Sequence, residues 1–278
     1  MIVDFHTHTF PPAIAEAALT KLSAASRSRA FTKGTPADLV ASMQKAGVDR
    51  SVVLPVATNP LKVTKMNDIS LAETEKNGLI YFGCMHPDAE NALEEVDRMA
   101  NRGLKGFKIH PVYQGVDIND PRFLRILDRA GERDLCVVMH AGDDIGFPGV
   151  VRCSPEMTAA ALKQVGCPKL ILAHMGGWKN WERVADALAD TGVYLDTSFS
   201  LGEIPAIDDT YSPEEKKLLK AEEFCALVRA FGAERILFGT DSPWTDQKES
   251  LEAIRALPLT LWEQKALLGG NAQRLLGI

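Results

Sequence analysis

The sequence predicts an α/β protein, a single (β/α)8 TIM barrel with extra chain after strands 1 and 7, on three observations. Eight short runs rich in Val, Ile, Leu and Phe recur along the 278 residues, and continuous apolar runs of this length suit strands buried on both faces of a parallel sheet. Stretches with helical spacing separate them, so the chain reads as βα repeated, a pattern that right-handed crossovers close into a barrel. The length matches the ~250 residues of one such barrel, and 46% hydrophobic residues can fill its core. Neither a repeat of fixed period nor a low-complexity linker interrupts the chain, so one domain over 1–278 is expected.

The first run, MIVDFH, leads into His6-Thr7-His8. Side chains alternate along a strand, which places Asp4, His6 and His8 on one face and Val3, Phe5 and Thr7 on the other. Residues 9–34 form a polar, alanine-rich insertion, expected to be helical with a mobile Ser/Arg tip. Thr35-Pro36 sets a capping hydroxyl before a first-turn proline, and Gly47 closes that helix. Strands two to five follow as SVVLPVA, LIYFGCM, LKGFKIH and LCVVMHA. Ser154-Pro155 opens a helix closed near Gly166, ahead of strands six and seven, KLILAHM and GVYLDTS. Residues 199–211 then lengthen a loop. Ser212-Pro213, with Glu215 completing a capping box, opens a long helix to Gly232 before the last strand, RILFGTD. Both insertions follow strands, where a barrel builds its active-site face; they are candidate walls or lids, and equally candidate subunit contacts compatible with a homodimer.

Composition excludes several functions. A net charge of −6 and a pI near 5.6, without a Lys/Arg-rich run, give no field for nucleic acid. No apolar run reaches the ~18 residues of a membrane span and the start lacks a secretion signal, so a cytoplasmic protein without membrane contact is expected. Cys84, Cys136, Cys153, Cys167 and Cys225 are scattered and lack a C-x-x-C pair, which reads as reduced thiols.

All six histidines, His6, His8, His86, His110, His140 and His174, fall at or just beyond the C-terminal ends of expected strands, and Asp241 ends the eighth. Alternation puts His140 on the inward face with Val138, His174 with Leu172, and Asp241 with Gly239 and Leu237. A lone His-x-His pair is as well explained by solvation or backbone partners. Imidazoles and a carboxylate converging on one barrel face point instead to a divalent metal centre.

The segments DFHTH, GFKIHPVYQ, VVMHAG, LAHMGG, FGTDSPW and GGNAQRLLG resemble the amidohydrolase superfamily from the first strand to the last helix. More narrowly, they resemble the amidohydrolase-related branch that includes aminocarboxymuconate semialdehyde decarboxylase. The resemblance implies that His6, His8, His140 and Asp241 hold one divalent ion, with zinc expected, and that Asp241 can alternatively take a proton from water. His174 would orient that water or polarise a carbonyl. Lys108 stands where binuclear relatives carry a carboxylated lysine; the cost of an unpaired buried charge favours an ion pair with Asp4 or Asp196 and hence a single metal. No glutamate ends a core strand, unlike the superfamily's paired-metal nucleases.

Substrate contacts are expected from His110, Lys108, Arg152, Trp178, Trp244 and Tyr113. Arg152 offers a fork for a carboxylate, with a solvated surface role as its alternative; His110 can equally be held by backbone, and His86 reads as structural. The implied activity is metal-assisted hydrolysis of an amide, lactone or related ester bond in a small polar molecule, with a carboxylate among the candidates. Non-oxidative decarboxylation of an aromatic or unsaturated acid is the alternative. A non-catalytic metal-binding or regulatory barrel is the reading from another class, and the complete ligand set counts against a metal-free lactonase.

Overall fold

The structure, a computed structural model, describes every residue of the chain except 167 and 168. Short strands run in chain order: β1 (Val3–Thr7), β2 (Arg50–Val53), β3 (Leu79–Tyr81), β4 (Gly83–Cys84), β5 (Gly106–Ile109), β6 (Cys136–Met139), β7 (Leu170–Leu172), β8 (Tyr194–Asp196) and β9 (Ile236–Leu237). Consecutive strands pair in parallel, apart from β3 and β4, which are two halves of one stave parted at Phe82. The staves are thus the eight expected. Closure comes from Phe5 N–H on the Phe238 carbonyl (2.7 Å) and Asp241 N–H on that of His6 (2.8 Å). The fold is a TIM barrel.

Two apolar layers build it. Val3, Phe5, Val52, Ile80, Val138, Ile171 and Leu237, drawn from six strands, fill the interior, while residues such as Phe107, Met139, Leu172 and Leu195 pack outward against the helices. Val138 and Leu237 are interior, as the alternation to His140 and Asp241 requires. On β1 the alternation fails, because Val3 and Phe5 are the interior residues. The register against β2 shifts between Asp4 and Thr7, and this irregularity lets His6 follow Phe5 inward. Asp4 turns away, accepting from Thr240 Oγ1 (2.6 Å) and Gln247 Nε2 (2.7 Å). His174 also departs from expectation: Leu172 packs outward, the strand ends there, and a left-handed backbone (φ 58°) swings His174 to the mouth.

The capping hydroxyls act as the sequence suggests. Thr35 accepts from Asp38 N–H (3.2 Å) at the start of a helix over Pro36–Ala46, and Ser154 from Met157 N–H (3.3 Å). The helix after Ser154 stops at Leu162, so Gly166 lies beyond its end. Ser212 and Glu215 form their capping box, yet that helix is only Pro213–Lys216, and a second runs over Ala221–Phe231. The chain leaves the first because Leu218 and Leu219 N–H groups pair with the carbonyls of Gly202 and Ser200, both at 2.9 Å, which buries the two leucines.

The insertion after β1 forms α1 (Pro12–Ser26), and its tip is fastened rather than mobile. Ser28 bridges antiparallel to Ala206, Tyr211 donates its hydroxyl to the Ser26 carbonyl (2.6 Å), and Arg27 ion-pairs with Asp208. The two insertions are therefore joined. At its start α1 is tied by Phe10 N–H to the Gly34 carbonyl (2.7 Å). At its far end the Ala25 methyl lies 3.9 Å from where a Cβ on Gly146, in the loop after β6, would stand. The helix crosses the barrel mouth.

Cys84, Cys153 and Cys225 are buried, and burial pushes the Cys84 and Cys153 thiols well up. Cys167 lies outside the described residues. Among the described residues, no helix is long and apolar enough to cross a membrane.

Candidate metal centre

His6, His8 and Asp241 meet at the mouth where β1 and β9 close the barrel. His6 Nδ1 donates to Asp196 Oδ2 (2.7 Å) and His8 Nδ1 to the Leu54 carbonyl (2.7 Å). With those protons placed, each Nε2 presents a lone pair. The two Nε2 atoms are 3.2 Å apart, and Asp241 Oδ1 lies 3.5 Å from His6 and 3.1 Å from His8. Lone pairs and an anion that close repel, and a proton on one ring relieves only part of this; a cation at the centre relieves all of it. The spacing fits such an ion, because ligands at 2.0–2.1 Å in a tetrahedron stand about 3.3 Å from one another.

A second facing pair stands beside the first. His140 Nε2 donates to the Asp143 carbonyl (3.0 Å) and His174 Nδ1 to that of Ser198 (2.9 Å), so His140 Nδ1 and His174 Nε2 oppose two more lone pairs at 3.2 Å. Burial lowers the pKa of His174 and, further, of His140, and burial with the neighbouring Lys108 charge takes His6 down to about 4. All three stay neutral at physiological pH, the state a metal ligand needs. Burial would raise the Asp241 carboxyl, but the imidazoles around it favour its anion more strongly, most of all His8 whenever that ring carries a proton toward it, and hold it down at about 2. Asp241, His174 and Phe199 have left-handed backbones, with φ of 66°, 58° and 46°, conformations that cost ~1–3 kcal/mol each and persist where the surroundings impose them.

A different cluster unites His110, His140 and Asp144. His110 Nδ1 accepts from Tyr113 N–H (3.4 Å), which leaves its Nε2 proton aimed at Asp144 Oδ2, 3.5 Å away; His140 Nε2, also protonated, is 3.8 Å from that oxygen. Here donors face the carboxylate, so a cation is not needed. Burial raises Asp144 to about 6 against the opposing Gly146 N–H bond. The rings of His140, His110, Tyr113 and Phe147 succeed one another at centroid spacings of 4.1, 3.9 and 5.2 Å.

Both clusters open into one cavity of about 1460 Å³. Tyr113, Trp178, Trp244 and Lys108 line it, as the sequence suggested. Buried Lys108 has its Nζ 3.4 Å from His6 Nε2 and is lowered to about 8 by desolvation against the pull of Asp196 and Asp241. The expected Lys108 pairing with Asp4 does not form, since Thr240 and Gln247 take that carboxylate, and Asp196 spends its oxygens on His6, His174 N–H and Ser198. Arg152 is a correction as well: its guanidinium binds Asp117 Oδ1 (2.8 Å), and the Ile118 N–H bond to the Arg152 carbonyl (2.9 Å) ties that loop away from the cavity. His86 accepts from Asp88 N–H (3.1 Å) in a turn.

A family model for amidohydrolases matches residues 3–278. The chain belongs to the amidohydrolase family. Its fold is shared with 5-carboxyvanillate decarboxylase from Sphingomonas paucimobilis (15% identity, 100% of this chain and 99% of that one, TM-score 0.69). A dihydroxybenzoic acid decarboxylase from Polaromonas sp. JS666, with bound manganese and the inhibitor 2-nitroresorcinol, is similar over 99% of this chain and 96% of its own (14% identity, TM-score 0.70). A Pseudomonas putida protein named for 2-pyrone-4,6-dicarboxylic acid hydrolysis matches over 99% and 97% (20% identity, TM-score 0.66). No curated protein matches the chain in sequence. This amidohydrolase-family barrel thus combines a metal-dependent family with a partly buried His/Asp cluster suited to a divalent ion.

Sequence reasoning missed Asp196 as the brace of His6, although it ends a strand as the histidines do. It also missed Asp144, whose signal was its place four residues after His140 on a loop following a strand.

Proposed function

We propose that this chain is a metal-dependent hydrolase that cleaves an amide, lactone or related ester bond of a small carboxylate-bearing molecule, acting as one unit over residues 1–278. The carrying observation is the triangle of His6 Nε2, His8 Nε2 and Asp241 Oδ1, with edges of 3.1–3.5 Å. In this reading these three residues hold one ion, zinc being the first candidate for a nitrogen-and-oxygen site, with His140 as the fourth ligand through Nδ1. A divalent ion held there acidifies bound water and polarises a carbonyl.

The chain's own groups do the rest. Asp196 fixes the ring and tautomer of His6. The second carboxylate oxygen of Asp241 takes the proton of the attacking water. His174, neutral and fixed by Ser198, orients that water through Nε2. Lys108 offers its ammonium to the substrate carboxylate, and His110, Tyr113, Trp178 and Trp244 flank the bound molecule.

Decarboxylation of an aromatic acid is the second reading, favoured by the fold shared with two aromatic-acid decarboxylases. The test is metal per chain by elemental mass spectrometry, followed by a panel of N-acyl amino acids, lactones and hydroxybenzoates scored for acid or amine release and for carbon dioxide. About one ion per chain with acid release is expected. Carbon dioxide from a hydroxybenzoate moves the assignment to the second reading; metal without turnover of any compound favours a binding protein, and well-folded protein without metal overturns both enzymatic readings.

A further inference from the structure

The mechanism uses the floor of the cavity and leaves its roof unexplained. Ile14, Ala18, Leu22 and Ala25 of α1 all line the cavity. Their spacing of four, four and three residues makes one continuous apolar stripe, spanning about 16 Å at 1.5 Å per residue. The helix packs on the protein through Ala15 and Leu19, which do not line the cavity, so the stripe is not its core face. Ile14 stays 53% exposed, and Ile69 of the helix over Val63–Glu73, on another wall of the same cavity, is 44% exposed. A roof over water alone would carry polar residues here.

The cavity is also larger, at about 1460 Å³, than the ~300–1,000 Å³ of most small-molecule sites, so a single-ring acid at the metal cluster leaves most of it unfilled. Lys62 and Lys65 lie exposed on its rim, basic charges that draw an anion toward a chain of net charge −6.

We infer that the substrate is an anionic amphiphile, whose polar reacting group sits at the His6–His8–Asp241 end and whose apolar chain or extended ring system lies under the α1 stripe. The inference rests on the proposed active centre for the placement of the polar end, but the roof's affinity for an apolar chain is independent of the metal. Continuity of the stripe with that centre in a single cavity favours the substrate as occupant over a second copy of the chain.

The test is fluorescence titration of the intact chain with 11-(dansylamino)undecanoic acid, then competition by straight-chain monocarboxylates of four to twelve carbons, with and without chelator. Displacement is expected to strengthen about three- to fourfold per added methylene, the increment of burying one CH2, until the stripe is covered. Ala18→Trp, which fills the space, and separately Leu22→Asp, which charges it, should flatten that rise while metal per chain stays at the wild-type value. A persistent rise in chelated protein supports the roof site even if the metal reading fails. A flat series on metal-loaded wild type overturns the roof site and leaves the hydrolase reading standing. A dimer in sedimentation that Ile14→Asp disperses, together with a flat series, assigns the stripe to a second copy and overturns the inference.

Discussion

The His6–His8–Asp241 and His110–His140–Asp144 clusters use the same residue types, lie in one cavity, and have contacts between 3.1 and 3.8 Å. Their ring protons are set oppositely. In the first, Asp196 and the Leu54 carbonyl draw the protons to the far nitrogens, and lone pairs converge on the carboxylate. In the second, Tyr113 N–H occupies the far nitrogen of His110, and N–H groups face Asp144. Proximity of histidine and carboxylate therefore does not define a metal site; the hydrogen-bond partner behind each ring decides whether the front is a ligand or a donor.

The largest effect that could break this distinction is the double variant His6→Ala, His8→Ala. It should lose its metal entirely and at least about 10³-fold of kcat/KM, read by elemental mass spectrometry and steady-state kinetics; retained metal would place the ion elsewhere. Chelation of wild type should come next. An ion at about a hundred times its Kd contributes roughly 2.7 kcal/mol, so its removal should lower Tm by about 5–10 °C for a chain of this size. Asp144→Asn should show the same chelator-induced drop, and the double variant none.

Asp196→Asn sharpens the comparison from behind the ring. It should weaken metal affinity about 10–100-fold, measured by competition with a chromogenic chelator; an unchanged affinity would mean that His6 needs no brace. The smallest effect is expected from Asp144→Asn, with metal content unchanged and kcat/KM altered less than about tenfold. Its pH signature has a definite sign. Burial raises this carboxyl from 3.8 to about 6, so between those values the native state holds a proton that the unfolded chain has released, and its contribution makes stability fall as pH rises across that window. Denaturant titrations of metal-free protein at pH 4 and 6 should show a shallower fall in Asp144→Asn than in wild type.

Much of this was legible in the sequence. Apolar runs separated by capped helices specify the staves, and histidines at strand ends specify the face that carries the chemistry. Alternation failed where strands stop behaving as strands. The irregularity between Asp4 and Thr7 sends Phe5 and His6 to the same side, and the left-handed turn at His174 overrides its parity with Leu172. Neither His6 nor His174 is itself a glycine or proline, and the bonds that hold them, to Asp196 and the Ser198 carbonyl, come from far along the chain. Arg152 misled for the same reason in reverse: a fork suited to a carboxylate found one within the protein, at Asp117. That α1 would cross the mouth depends on the loop after β8, some 180 residues away in sequence, and no short motif encodes that docking.

Fastening α1 at both ends also shapes traffic through the cavity. The Phe10–Gly34 bond closes the base of the strap, and its far end is bonded at Ser26–Ser28 to the loop after β8, so lifting it requires breaking those distal contacts. While those contacts hold, a molecule reaches the cavity past the strap rather than by displacing it. Loosening the strap at its contacts with the loop after β8 is then expected to speed exchange of molecules held in the cavity.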